Sequence, residues 1–224
     1  MESTVPAPST PVGAVRGAGA VRGTHPLRVG VTGPMGAGKS TVARALARRG
    51  AALIDADALA RRATDDPAVL ARIARDVGAH LVVDGRLDRT ATARLVFADA
   101  DARRALEAIV HPGVRAAAAD QEAEALRSDT PPVMVVHDVP LLFENGLDAR
   151  MDATVLVDAP AALRAARVAS RGGDPAAVAA RDAAQGAIAA KRARADFMIR
   201  NDADEDALEG EVARLWASLR MLPS

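Results

Sequence analysis

The chain has 224 residues, 50% of them hydrophobic, with 29 Lys and Arg balancing 29 Asp and Glu. That apolar content supports a sizeable core and argues against wholesale disorder, while zero net charge and 2% aromatic residues argue against a dedicated nucleic-acid binder or a stacking platform for single strands. The absence of cysteine excludes disulfides and thiolate metal sites and fits a cytoplasmic setting; no run reads as a membrane helix or a secretory signal.

Residues 1–26 are rich in Pro, Ala, Gly, Ser and Thr, and Gly13-Ala14-Val15-Arg16-Gly17 recurs as Gly19-Ala20-Val21-Arg22-Gly23. They read as a low-complexity, disordered extension before a single domain spanning 27–224. Leu27 to Val31 is a short apolar run with β-branched residues, a buried-strand signal. It leads into Gly33-Pro34-Met35-Gly36-Ala37-Gly38-Lys39-Ser40, followed by Thr41. This is G-x-x-x-x-G-K-S, the phosphate-loop pattern, and Ser40 to Arg49 continues as a helix that stops at Gly50. Glycines let backbone N–H groups approach phosphate oxygens, and the helix N-terminus adds partial positive charge. Lys39 can reach the β- and γ-phosphates of ATP, and the Ser40 hydroxyl can ligate Mg²⁺. The Lys39 side chain is expected to face solvent when no ligand is present. A dinucleotide-binding fingerprint is ruled out, because Thr41 stands where it needs Gly or Ala.

Ala51 to Ile54 is a second short strand, ending in Asp55-Ala56-Asp57. Two readings stay open there. The pair of carboxylates sits where open α/β sheets place ligands, aligned on one side if strand geometry continues; or Asp57 is the N-cap of the next helix. Residues 59–127 carry helical spacings, with Val82 to Leu87 as a turn between helices. So large an insertion suits a subdomain covering a substrate. His111-Pro112 lies inside it, and Pro112 suits the start of a helix.

Val133 to Val136 is a strong buried-strand signal leading to Asp138, which resembles a Walker B carboxylate able to orient Mg²⁺ or its water; a turn aspartate is the alternative. Val155 to Asp158 and Phe197 to Ile199 complete five strands, giving an α/β fold with a five-stranded parallel sheet flanked by helices. Arg164, Arg167 and Arg171 share a helical face ahead of Gly172-Gly173. They form either a lid over a triphosphate, with Arg167 and Arg171 the preferred catalytic pair, or a solvated face. Asp202 to Glu211 reads as acidic helix surface, and Leu215, Trp216 and Leu219 as a final helix on the core.

Taken together these motifs resemble the dephospho-coenzyme A kinase family over about residues 28 to 202. The resemblance rests on Val31 through Thr41, Ile54-Asp55-Ala56-Asp57 with Ala60-Arg61, and His111-Pro112. It continues through Val139-Pro140-Leu141-Leu142-Phe143-Glu144, Ala183-Ala184-Gln185, Lys191, and Ala195-Asp196-Phe197 to Ile199 with Asn201. It implies a P-loop kinase fold with a core (27–58, 131–163, 195–224), a helical CoA-binding subdomain (about 59–130) and a lid (about 164–194). It implies ATP and Mg²⁺ as cofactors, transfer to the ribose 3′-hydroxyl of dephospho-CoA, and Asp57 as the base or hydroxyl-orienting residue. Asp55, Arg61, His111, Pro140, Leu141 and Leu142 would then bind the acceptor. No nucleic-acid, membrane or obligate protein partner is implied. Ile188 and Arg200 depart from the family pattern, which touches the lid and the adenine side. The competing expectations are a P-loop kinase for a nucleoside or nucleotide and a nucleotide-sensing NTPase; the absence of a guanine-reading Asn-Lys-x-Asp weighs against a GTPase.

Overall fold

The computed structural model describes residues 25–184 and 188–222, without the side chains of Phe97 and Ala184. The low-complexity segment up to residue 24 and Gln185 lie outside the described residues.

Strand β1 (Leu27–Thr32) runs into the glycine loop, and helix α1 (Lys39–Arg48) follows it. Strand β2 (Ala52–Asp55) leads directly into α2 (Ala56–Ala63), then α3 (Pro67–Asp76). Two short strands, β3 (Val82–Val83) and β4 (Arg86–Leu87), precede α4 (Arg89–Ala98) and the long α5 (Ala100–Leu126). The chain continues as β5 (Met134–Asp138), β6 (Ala153–Asp158), α6 (Ala161–Ser170), α7 (Ala176–Ala184), α8 (Ile188–Arg194), β7 (Phe197–Arg200) and α9 (Glu205–Arg220). The described residues divide into two compact units, Asp55–Ser128 and the remainder.

The remainder is the sheet unit. Its strand order is β2-β5-β1-β6-β7, the five-stranded parallel sheet flanked by helices that the apolar runs predict. The central strand β1 pairs in parallel with β5 (Val31 opposite Asp138) and with β6 (Val31 opposite Val155). Its neighbours therefore deliver their C-terminal ends to the same edge as the glycine loop, the edge where parallel sheets bind ligands. Val29, Val31, Val155, Val157 and Ile199 are fully buried, as continuous β-branched runs in a doubly covered sheet should be. Val42 and Leu46 of α1 join Val212, Leu215 and Leu219 of α9 in that core, with Trp216 packed at its margin. The acidic run is more than surface: Asp204 caps α9 by accepting from the Ala207 amide at 2.9 Å, with Glu205 and Asp206 in the first turn, where the helix dipole favours negative charge.

The Asp55–Ser128 unit is largely helical and has its own core of Ile73, Leu81, Ile109 and Val110. Three expectations are corrected here. Val82 to Leu87 is an antiparallel hairpin, with Val82 opposite Leu87 and positive φ at both Asp84 (50°) and Gly85 (70°), the pairing a type I′ turn demands. Val82 and Leu87 face the core while Val83 is 51% exposed. Pro112 lies inside α5 and starts no helix. The strand geometry stops at Asp55, so alternation does not align Asp55 with Asp57.

Candidate active site

The glycine loop is shaped by its backbone. Gly36 (φ +79°) and Gly38 (φ +95°) adopt a conformation that L side chains rarely take, and a Cβ on Gly38 would lie 2.2 Å from the Asn201 amide nitrogen. Gly38 is also the N-cap of α1, and no side chain caps that helix. A helix N-terminus so arranged, reached by a loop packed closely against β6 and α6, is suited to an anion. Met35, Gly36, Lys39, Ser40 and Thr41 are partly exposed, whereas Gly33, Pro34 and Ala37 are buried in the loop's support.

Lys39 does not face solvent. Its side chain is 12% exposed and its Nζ is ion-paired with Asp138, itself 2% exposed at the end of β5. The β1–β5 register creates this contact by bringing the two sequence-distant motifs to one sheet edge. The result is a positive group held in place beside a buried carboxylate at the ligand-binding edge of the sheet.

The three arginines of α6 separate into distinct environments. Arg164 is buried, 6% exposed. It grips Asp182 of α7 with both terminal nitrogens (3.0 and 2.6 Å) and donates to the Met35 carbonyl in the loop at 3.3 Å. Arg167 donates to both the main-chain and side-chain oxygens of Asn201, at 3.0 and 3.2 Å. Arg171 is the exposed C-cap residue. A cavity of about 560 Å³ opens here, its lining including Pro34, Asp158, Arg164, Asp182, Ile188 and Arg200. Lys191 of α8 also lines this cavity; it is 5% exposed and pairs with Glu144 at 2.6 Å.

The residues expected at the acceptor fall in both units. Pro140 and Leu141 follow β5 and are partly exposed. Leu142 is fully buried over Gly30, so in this conformation it packs the core. Asp55, Asp57, Arg61 and His111 belong to the helical unit. Asp55, not Asp57, caps α2, accepting from the Ala58 amide at 2.9 Å. Asp57 is an exposed first-turn residue, Arg61 is exposed on the same helix, and His111 is half-buried on α5.

A family model described as dephospho-CoA kinase matches residues 27–206. The chain belongs to the dephospho-CoA kinase family. It is 44% identical over 218 residues to the dephospho-CoA kinase of Deinococcus radiodurans, covering 97% of each chain. It is 47% identical over 196 residues to that of Anaeromyxobacter dehalogenans, covering 86% of this chain and 92% of that one. Among solved structures it is similar to the Thermus thermophilus protein TT1252, with a TM-score of 0.74 at 41% identity over 90% of this chain and all (100%) of that one.

Within this kinase family fold, two residues beside the loop have little local sequence signal. Asn201 stands in the sequence only as the end of a motif, yet it donates to the Ala37 carbonyl at 2.8 Å. Asp182 carried no signal at all, since an aspartate 18 positions after an arginine is unremarkable until α6 and α7 pack together. The two departures from the family pattern, Ile188 and Arg200, both line the cavity.

Proposed function

We propose that the chain transfers the γ-phosphoryl group of ATP to dephospho-CoA to give CoA, the last step of CoA synthesis, in the cytoplasm. The observation that carries this reading is the loop with its buried Lys39–Asp138 pair in a chain of this family. The loop amides and Lys39 hold the phosphates and neutralise charge that shifts toward the leaving oxygen.

The donors offered to Mg²⁺ are hard oxygens, the Ser40 hydroxyl and the Asp138 carboxylate, the latter directly or through water. They suit an ion that keeps several waters and completes its shell with substrate phosphates. When bound, Mg²⁺ would supply further charge neutralisation on those phosphates. Arg164 reaches the loop at the Met35 carbonyl and is assigned to steadying the loop beneath the phosphates.

Asp57 is the residue we assign to the acceptor's proton. Asp55 caps α2, and Asp57 is an exposed carboxylate in the first turn of that helix. The ribose 3′-hydroxyl oxygen forms a bond to the γ-phosphorus, the bond from that phosphorus to the bridging oxygen of ADP breaks, and the hydroxyl proton passes to Asp57. Arg61, His111, Pro140 and Leu141 are assigned to holding the acceptor. The test is ADP formation with a panel of acceptors. Strict dependence on dephospho-CoA is expected. Turnover with nucleosides or nucleotides instead, or with no acceptor, would overturn the assignment.

A further inference from the structure

The glycine loop is held in shape from behind by one side chain. Asn201 follows β7 directly, is 6% exposed, and anchors its own amide to the Asp158 carbonyl at 2.8 Å. Its Nδ2 donates to the Ala37 carbonyl at 2.8 Å, and its Oδ1 accepts from Arg167 at 3.2 Å. The orientation of the carboxamide is fixed by these partners, because a carbonyl can only accept and a guanidinium can only donate. Arg167 adds a second bond to the Asn201 main-chain oxygen at 3.0 Å. The Ala37 carbonyl belongs to the peptide that leads into Gly38, the residue whose left-handed φ of +95° starts α1. The carboxamide leaves no room there for a Cβ.

We propose that Asn201 is a positioning residue for phosphate binding, and that Arg167 acts through it instead of touching the nucleotide. By holding the Ala37–Gly38 peptide, Asn201 sets the direction in which the loop and the first amides of α1 point. Without that bond, a buried carbonyl loses its donor and the peptide is free to rotate, which misdirects the N–H groups that should meet phosphate. Arg167 in turn keeps the carboxamide turned the right way. This inference rests on the reading of the loop as a phosphate site.

The decisive variant is Asn201→Asp. It keeps the size and the pairing with Arg167 but replaces the donor to Ala37 with an acceptor. We expect a lowered melting temperature, ADP affinity lowered about 10-fold in calorimetry, and a KM for dephospho-CoA close to the parent's. Asn201→Ser, too short to reach Ala37, should show the same ADP loss and serves if the aspartate variant is unstable. Arg167→Ala should also weaken ADP binding, and the double variant Arg167→Ala/Asn201→Ala should be no worse than Asn201→Ala alone. Parent-like ADP affinity in both Asn201→Asp and Asn201→Ser would overturn the proposal. Fully multiplicative losses in the double variant would do the same, by showing that Arg167 acts independently of the Asn201 carboxamide. The ADP titration needs no acceptor, so it reads the loop even if the acceptor assignment fails.

Discussion

Lys39 and Asp138 stand 99 positions apart, and their pairing gives the lysine a structural duty beside the chemical role proposed for it. Lys39→Ala should abolish most turnover. It should also destabilise the fold, on the order of 3 kcal/mol, because it strands a buried carboxylate. The double variant Lys39→Ala/Asp138→Asn should recover most of that stability in denaturant unfolding without recovering turnover. Near-native activity in Lys39→Ala would remove the lysine from the chemistry. Asp57→Asn tests the base: nearly the same shape but unable to take a proton, it should bind both substrates and turn over at least ~100-fold more slowly. Unimpaired turnover would exclude Asp57 from the proton transfer and leave the phosphate site standing. The motif Asp55-Ala56-Asp57 shows why sequence alone left this open. Either aspartate could cap α2, and only the observed bond from the Ala58 amide assigns that duty to Asp55. The expectation of a solvent-facing Lys39 failed for a related reason, since an ion pair made by strand register has no local sequence signal.

At the scale of elements, the strands were legible because each is a short run of β-branched and aliphatic residues bounded by turn residues. Their order across the sheet was not, because β1 pairs with β5 and β6, far along the chain. The β3–β4 hairpin was passed over although Asp84-Gly85 is a recognised two-residue turn pair; two-residue strands show too little alternation to stand out. Helix α6 was found as an arginine-bearing helix, but equal spacing concealed unequal roles. The structure now ranks the three arginines for a test. Arg164→Ala removes the bidentate pair with Asp182 and the bond to Met35, so it should depress turnover strongly and lower the melting temperature. Arg164→Lys should recover little, since an ammonium cannot reproduce the two-pronged geometry. Arg171→Ala, at an exposed helix end, should behave like the parent. Equal, parent-like behaviour of the Arg164 and Arg171 variants would mean that α6 presents only a solvated face and a structural ion pair.

For the molecule as a whole, the motifs in their order carried the resemblance to the kinase family, and the family match beginning at residue 27 coincides with the first strand. The extension carries no apolar periodicity to pack against a core, so a chain beginning at Pro26 should keep both thermal stability and kinase activity. A large drop in either would show that the segment contributes to the folded enzyme. No helix among the described residues is long and apolar enough to cross a membrane. The reaction makes one bond, and phosphorus NMR of the product reads that bond directly. Incubation with ATP, Mg²⁺ and dephospho-CoA should give ADP and CoA in equal amounts. The product should carry one new phosphomonoester signal, coupled to the ribose 3′ position, and the mass of one added phosphate. A phosphate on any other position, or ADP formed with free phosphate and unchanged dephospho-CoA, would contradict it.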